Sequence, residues 1–404
     1  MLGLSNSNTL TTAQTTFRSK LQEPVHVSVS PPLQHNRQLA YVDAVRIIGA
    51  LAVVLGHICS EVIFDWKTDH AALPVSNGAW WYALTIDSLS RFAVPVFVML
   101  SGAMLLKPNS RQSTGEFYKR RMTRIGVPAL FWSAVFFVLV AKNPTYGISD
   151  ALMKLAAGEP AAHLHFVFRI AGLYLFTPFL RIALGAMTRR QAIQVTIACF
   201  ALAIVDALLK PILRTHDTGT EVWAGHSSLV ANFVPFIGYY LAGYLLSDVQ
   251  LSKRRQFFAL LGVLIGGLTV AAGTGFMRNI FGAITTDDPR SVFFFDLLNP
   301  ARVLVALCAF SLFRSWFSGS WPDKPVYKFI SNTVAPATLG VYLVHPLMMG
   351  VLYKFNLDAR SLGVWIGVPI TFVMVALMSF GFSIVVSKIP VMKWIVGCGN
   401  DRKC

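Results

Sequence analysis

Residues 39–60 read LAYVDAVRIIGALAVVLGHICS, and the fold turns on this stretch. It has the length of a membrane span, which takes about 20 mostly apolar residues. It nevertheless carries Asp43, Arg46 and His57, with Glu61 just beyond. Ionisable groups at that depth are costly and face a cavity or a buried seam rather than lipid. On a helix Arg46 and His57 fall within about 20° of each other around the axis and stand about 16 Å apart along it. Asp43 lies one turn before Arg46 and Glu61 one turn after His57, near the same stripe. One face is therefore polar from end to end, and Arg46 and His57 are too far apart to touch. Two tasks along one cavity are expected. The imidazole suits proton transfer near neutral pH; the guanidinium, with Asp43 to orient it, suits an anionic substrate. The plainer alternatives are a histidine bonded to a neighbouring helix and a structural Asp43–Arg46 pair at the interface.

Outward from this stretch the chain stays apolar. Of 404 residues 54% are hydrophobic and 13% charged, with a mean hydropathy of +0.57; soluble chains carry about 25% charged residues. Span-length runs lie at 39–60, 86–106, 122–141, 163–180, 191–209, 228–247, 256–277, 292–313, 333–353 and 362–387. They predict an all-α, polytopic membrane bundle of about ten transmembrane helices, because a backbone in lipid must satisfy its own hydrogen bonds. Prolines 95, 128, 178, 235, 300, 336 and 369 lie in or beside the runs, which bundles tolerate. Residues 1–38 are polar and rich in Ser, Thr, Gln and Pro, and are expected to form a disordered cytoplasmic tail rather than a signal peptide. The first run, with no small-residue cleavage pattern behind it, is expected to remain as a signal anchor. Residues 39–390 then form one integral membrane domain, and 391–404 a short basic cytoplasmic tail.

The net charge of +16 does not point to nucleic acid, because its excess sits in short loops on alternate sides of the runs. One set of segments holds 22 lysines and arginines and the other nine. That asymmetry puts both termini in the cytoplasm and supports an even number of spans. The five cysteines are scattered without a CxxC, so neither a disulfide framework nor a metal site is expected. The composition excludes a soluble metalloenzyme.

Asp43, Arg46 and His57 resemble the first-span pattern of the acyltransferase 3 family of bacterial inner-membrane proteins. Other pieces are similar in order: RFAVPVFVMLSGAMLL (91–106) to the family's second span and FYKRRMTRIGVPALFW (117–132) to its basic loop and third. HLHFVFRIAGLYLFTPFL (163–180), GYYLAGYLL (238–246) and LGVYLVHPLMM (339–349) resemble the fourth, sixth and ninth. His165, where relatives often carry an aromatic residue, and Arg169 depart from the pattern. The resemblance is closest to the branch that O-acetylates surface polysaccharides. It implies a multi-pass protein of the bacterial inner membrane that transfers acetyl from acetyl-CoA, a donor substrate rather than a resident cofactor, to a hydroxyl of a surface glycan or lipid-linked saccharide. His57 would be the general base or a transient acyl carrier, and Arg46, steered by Asp43, would hold the donor or order the cavity.

Further candidates are weighed on position. Arg120, Arg121 and Arg124, with Lys119, suit the phosphates of coenzyme A, although positive-inside anchoring produces such runs anyway. Arg91, near Asp87, and His163, His165 and Glu61 are acceptor-binding candidates at the far end of the bundle. Ser101 beside Gly102 reads as helix packing more than as a nucleophile. His345 is as readily a packing histidine. Asp206 and Asp296 could hydrogen-bond a sugar or cap an interface, and Trp80, Trp81 and Tyr82 read as an aromatic belt among membrane lipids. Rival functions are a secondary transporter or flippase for a saccharide, which would show internal repeats, and a non-catalytic partner in a synthase complex. No repeat is visible, which gives the transporter no support.

Overall fold

The charged run folds as one unbroken helix, α1 (Leu39–Ile63), in a computed structural model that describes residues 39–64, 75–107, 113–140, 147–158, 160–161, 163–213, 233–282, 290–319, 321–322 and 324–398. The expected N-terminal tail, residues 399–404 and the loop cations Lys67, Arg111, Lys142 and Arg214 lie outside the described residues. After α1 come α2 (Asn77–Ser90), α3 (Ala93–Leu105), α4 (Thr114–Arg121), α5 (Val127–Val140), α6 (Ile148–Ala156), α7 (His165–Ala186) and α8 (Arg189–Leu213). The chain continues through α9 (Ile237–Leu246), α10 (Lys253–Phe281), α11 (Pro300–Trp316), α12 (Pro325–Phe329), α13 (Ala335–Lys354) and α14 (Val364–Ser387). Among the described residues there is no strand. Nine helical segments of 21–30 residues among the described residues are long and apolar enough to cross a membrane, and Val234–Leu246 is a shorter apolar helix at the sixth expected position. The molecule is a polytopic helical bundle. Large apolar side chains such as Ile182, Leu202, Ile366 and Leu377 are exposed on its outside, as a lipid-facing wall requires.

The prolines account for its irregular points. Pro95 has no N–H to give the Arg91 carbonyl four residues back; the chain turns there between α2 and α3, and Arg302 Nη2 donates to that carbonyl at 2.9 Å. Pro128 and Pro336 each follow a π-helical turn, Met122–Gly126 and Ile330–Val334. A wide turn of this kind absorbs the missing intrahelical bond. Close approach rests on glycine where α3 meets α9. A Cβ on Gly102 would overlap the Tyr240 carbonyl, and one on Gly243 would overlap that of Met99, so the two backbones meet through reciprocal small residues.

α1 lies inside the bundle, against α2, α3, α11, α13 and α14. Residues 392–398, placed by sequence in the C-terminal tail, pack against α5, α13 and α14: Val396 and Cys398 are buried, and Trp132 Nε1 donates to the Ile395 carbonyl at 2.8 Å. Cys59, Cys199 and Cys308 are free thiols. Cys398 is disulfide-bonded, a bond that the scattered cysteines did not lead the sequence reading to expect. Its spacing from the other cysteines gives no framework pattern from which this bond could have been read.

Candidate active site

Coverage along α1 varies along its length without singling out one face. Val45, Ala50, Val53, Val54, Ile58, Cys59, Val62 and Ile63 are buried, while 46–48, 51–52, 55–57 and 60–61 are only half-buried. Arg46, His57 and Glu61 are among the half-buried positions, and their spacing puts them within about 60° of one another around the helix. Asp43 lies instead at a buried position.

At the Arg46 end, basic side chains converge. Arg121 and Arg124 both come within electrostatic reach of Arg46, as do Asp43 and the Tyr174 ring. The π turn before Pro128 carries Arg124 there. Arg121, from the last turn of α4, lies 5.8 Å from the Tyr174 ring centroid and 5.7 Å from that of Phe117, and its Nε has no hydrogen-bond partner. The second π turn brings Ser331 beside the Asp43 carboxylate, with Trp321. Three guanidiniums facing one carboxylate leave a surplus of positive charge that suits a polyanion. Arg120 is not part of this group: it points outward and bonds Glu116 at 2.5 Å. Lys119 is likewise exposed.

At the other end, imidazoles converge. The His57 ring centroid is 5.0 Å from that of His345, which is 5.8 Å from that of His163. His345 is fully buried and His163 nearly so, and the Nε2 atom of each lacks a hydrogen-bond partner. Tyr342 ties them together: its hydroxyl donates to the His163 carbonyl, and its own carbonyl lies 2.7 Å from His345 Nδ1. His165 opens α7 half-buried, close enough to His163 to act on it electrostatically. Among the described residues, no three His, Cys, Asp or Glu side chains are arranged to hold a metal ion. His345 comes from a helix almost three hundred positions along the chain from His57. Nothing in the local spacing of either residue pairs them, and sequence reasoning left His345 among packing residues.

Beside the histidines lies a buried ionic group. Arg91 is paired with the buried Asp87 one turn earlier, sits 3.8 Å from the Phe295 ring centroid and acts electrostatically on His57. Gly56 admits this group. A Cβ there would come to 3.0 Å of Ser90 Oγ and 3.3 Å of Asp87 Oδ1, tighter than the carboxylate's neighbours allow. Arg302 donates to the Phe295 carbonyl as well as to that of Arg91. Glu61 stands a turn beyond His57, within reach of Asp358 and Arg360, and Arg360 Nε donates to the Glu61 carbonyl at 2.9 Å.

The remaining candidates are scattered. Ser101 Oγ is 3.3 Å from the Tyr174 hydroxyl, with no histidine bonded to it. Asp206 is exposed on the outer surface of α8. Asp296 Oδ1 accepts from the Leu298 N–H at 2.8 Å, a local turn contact. Trp80 is buried with its Nε1 donating to the Ile63 carbonyl at 3.2 Å, whereas Trp81 is exposed.

The structure is that of a multi-helix membrane bundle with cations gathered near one end of its first helix and imidazoles near the other. The sequence profile described as an acyltransferase domain, that of the acyltransferase 3 family, matches residues 39–388. The chain belongs to that family and is a multi-pass membrane acyltransferase. No curated protein and no solved structure matches it.

Proposed function

We propose that the protein is an O-acetyltransferase of the bacterial inner membrane, with both termini cytoplasmic, that moves acetyl from cytoplasmic acetyl-CoA to a hydroxyl of a surface glycan or lipid-linked saccharide. One observation carries the reading. The stripe of α1 that carries both Arg46 and His57 joins the Arg46–Arg121–Arg124 group to the His57–His345–His163 group across about 16 Å of helix. An extended pantetheine arm suits such a distance. Phosphates bound at the arginines would leave the thioester near His57.

His57 takes the proton of the acceptor hydroxyl as that oxygen attacks the thioester carbonyl. The carbon–sulfur bond breaks, coenzyme A leaves as a thiolate, and the proton passes from His57 to sulfur. Arg46, with Arg121 and Arg124, binds the donor and adds no covalent step. Arg91 and His163, with His165 and Glu61 nearby, border the acceptor side.

The test follows labelled acetyl from acetyl-CoA into a membrane glycan or lipid-linked saccharide fraction, at matched membrane expression. His57→Ala is expected to lower kcat by about 10²–10⁴-fold, the usual contribution of a positioned acid–base group. Arg46→Ala is expected to act mainly on KM for the donor. Full transfer by His57→Ala would remove the assigned mechanism. No transfer by the wild type across a range of acceptors would remove the substrate class.

A further inference from the structure

His345 occupies the middle of the imidazole group, and its tautomer follows from a proline. Pro346 has no N–H for the Tyr342 carbonyl four residues back, so that buried acceptor needs another donor. His345 Nδ1 lies 2.7 Å from it. A carbonyl oxygen only accepts, so Nδ1 carries the hydrogen, and the neutral ring leaves Nε2 as a bare acceptor. That Nε2 is fully buried and has no hydrogen-bond partner among the described residues. Leaving a buried acceptor unsatisfied is costly, which marks it as a group held ready for a donor. The nearest ring is that of His57, at 5.0 Å between centroids and a 45° tilt. Two imidazoles sharing an N–H···N bond have centroids about 5 Å apart, given a nitrogen–nitrogen distance of about 3 Å. The two rings therefore stand at the separation such a bond takes, and catalytic hydrogen bonds commonly tighten when substrate binds.

We propose that His345 is a positioning residue for acyl transfer: its Nε2 accepts the N–H of His57, turns the other His57 nitrogen to the acceptor hydroxyl, and holds the imidazolium as it forms. This rests on His57 being the base of the transfer. No proton moves to His345. The hydroxyl proton goes to His57 and then to the leaving thiolate, while the bond between the rings keeps the accepting nitrogen in register. A neutral histidine here takes the place that a carboxylate holds in a charged triad, in an interior where a second buried anion would be costly.

The experiment compares kcat and KM for the full-length protein carrying His345→Gln, His345→Asn or His345→Leu, with the folded fraction measured by size-exclusion chromatography. Glutamine places an acceptor oxygen where Nε2 stands. Asparagine keeps a donor where Nδ1 stands, and so keeps the Tyr342 contact, but offers nothing at Nε2. The expected order is glutamine retaining most of kcat while asparagine and leucine lose about 100-fold, with KM for acetyl-CoA changed less than about threefold. A role confined to the Tyr342 contact reverses that order, and either asparagine outperforming glutamine or leucine keeping full kcat overturns the proposal. Pro346→Ala covers the case of misfolded His345 variants. It returns an N–H to the Tyr342 carbonyl and releases the His345 tautomer, so kcat is expected to fall in folded protein; an unchanged kcat overturns the proposal. An active wild type with an inactive His57→Ala confines any such failure to His345, whereas an active His57→Ala takes down the reading of His57 and this proposal together.

Discussion

Arg302 illustrates how a buried cation serves a membrane bundle at the scale of one residue. It is nearly inaccessible and donates to two backbone carbonyls, those of Arg91 and Phe295, one of which Pro95 leaves without its helical donor. Removing it strands both acceptors, at about 1–3 kcal/mol for each. Arg302→Leu is therefore expected to lower the thermal midpoint in detergent clearly, while Lys, one donor group on a flexible stem, recovers only part of the loss. An unchanged midpoint for the leucine variant would show that the two carbonyls find other donors. The arginines at the other end divide by geometry in the same way. Arg121 and Arg124 reach Arg46, whereas Arg120 is committed to Glu116 on the surface. A hydrogen bond to a charged group contributes about 1.5–3 kcal/mol, so Arg121→Gln and Arg124→Gln should each raise the donor KM by about tenfold or more. Arg120→Gln should leave it within about twofold. Equal effects from all three would mean that the run acts as a diffuse positive field and not as a site.

At the scale of the element, α3 and α9 meet where Gly102 and Gly243 each face the other's backbone, and a side chain on either must push a main chain aside. Overpacking of this kind costs about 1–3 kcal/mol or more, so Gly102→Val is expected to lower the yield of monodisperse protein. Gly185→Ala, with open space around its position on α7, should hold or raise stability by up to about 1 kcal/mol. Equal thermal midpoints for the two variants would argue against the close helix contact. The Ser101–Gly102 pair read as packing on sequence grounds, and that part was legible because a small residue in a span has few other uses. The two π turns were not legible. Nothing in MTRIG or ISNTV announces them, since they arise from the following prolines together with the packing that keeps each helix continuous. They deliver Arg124 and Ser331 to α1, so the basic group could be named from the sequence only as a run of charge, with Arg120 wrongly indistinguishable from its neighbours. The face of α1 that joins Arg46 to His57 was fully legible, because helical geometry alone determines it. His345 was not, because its partner lies on a distant helix and only the assembled bundle brings the two rings together.

For the whole molecule, the charge count and the site make linked demands. Loops carrying 22 lysines and arginines alternate with loops carrying nine, and cytoplasmic loops hold the excess in membrane proteins. The end of α1 that holds Arg46 is the end nearest the N-terminal tail, and α4, which supplies Arg121, belongs to the same basic set. A donor supplied from the cytoplasm must therefore meet the arginine group first, and the histidine group must lie towards the opposite face. Both demands favour the same proposed orientation of the bundle in the membrane. Reporter fusions measure it directly. A fluorescent protein joined beyond α14 is expected to fluoresce, because it stays in the cytoplasm. Alkaline phosphatase joined within residues 355–360, after α13, is expected to be active, because that loop would be exported. The reverse pattern would put Arg46 on the exported side, where acetyl-CoA is absent, and would remove coenzyme A as the donor even if His57 remained essential.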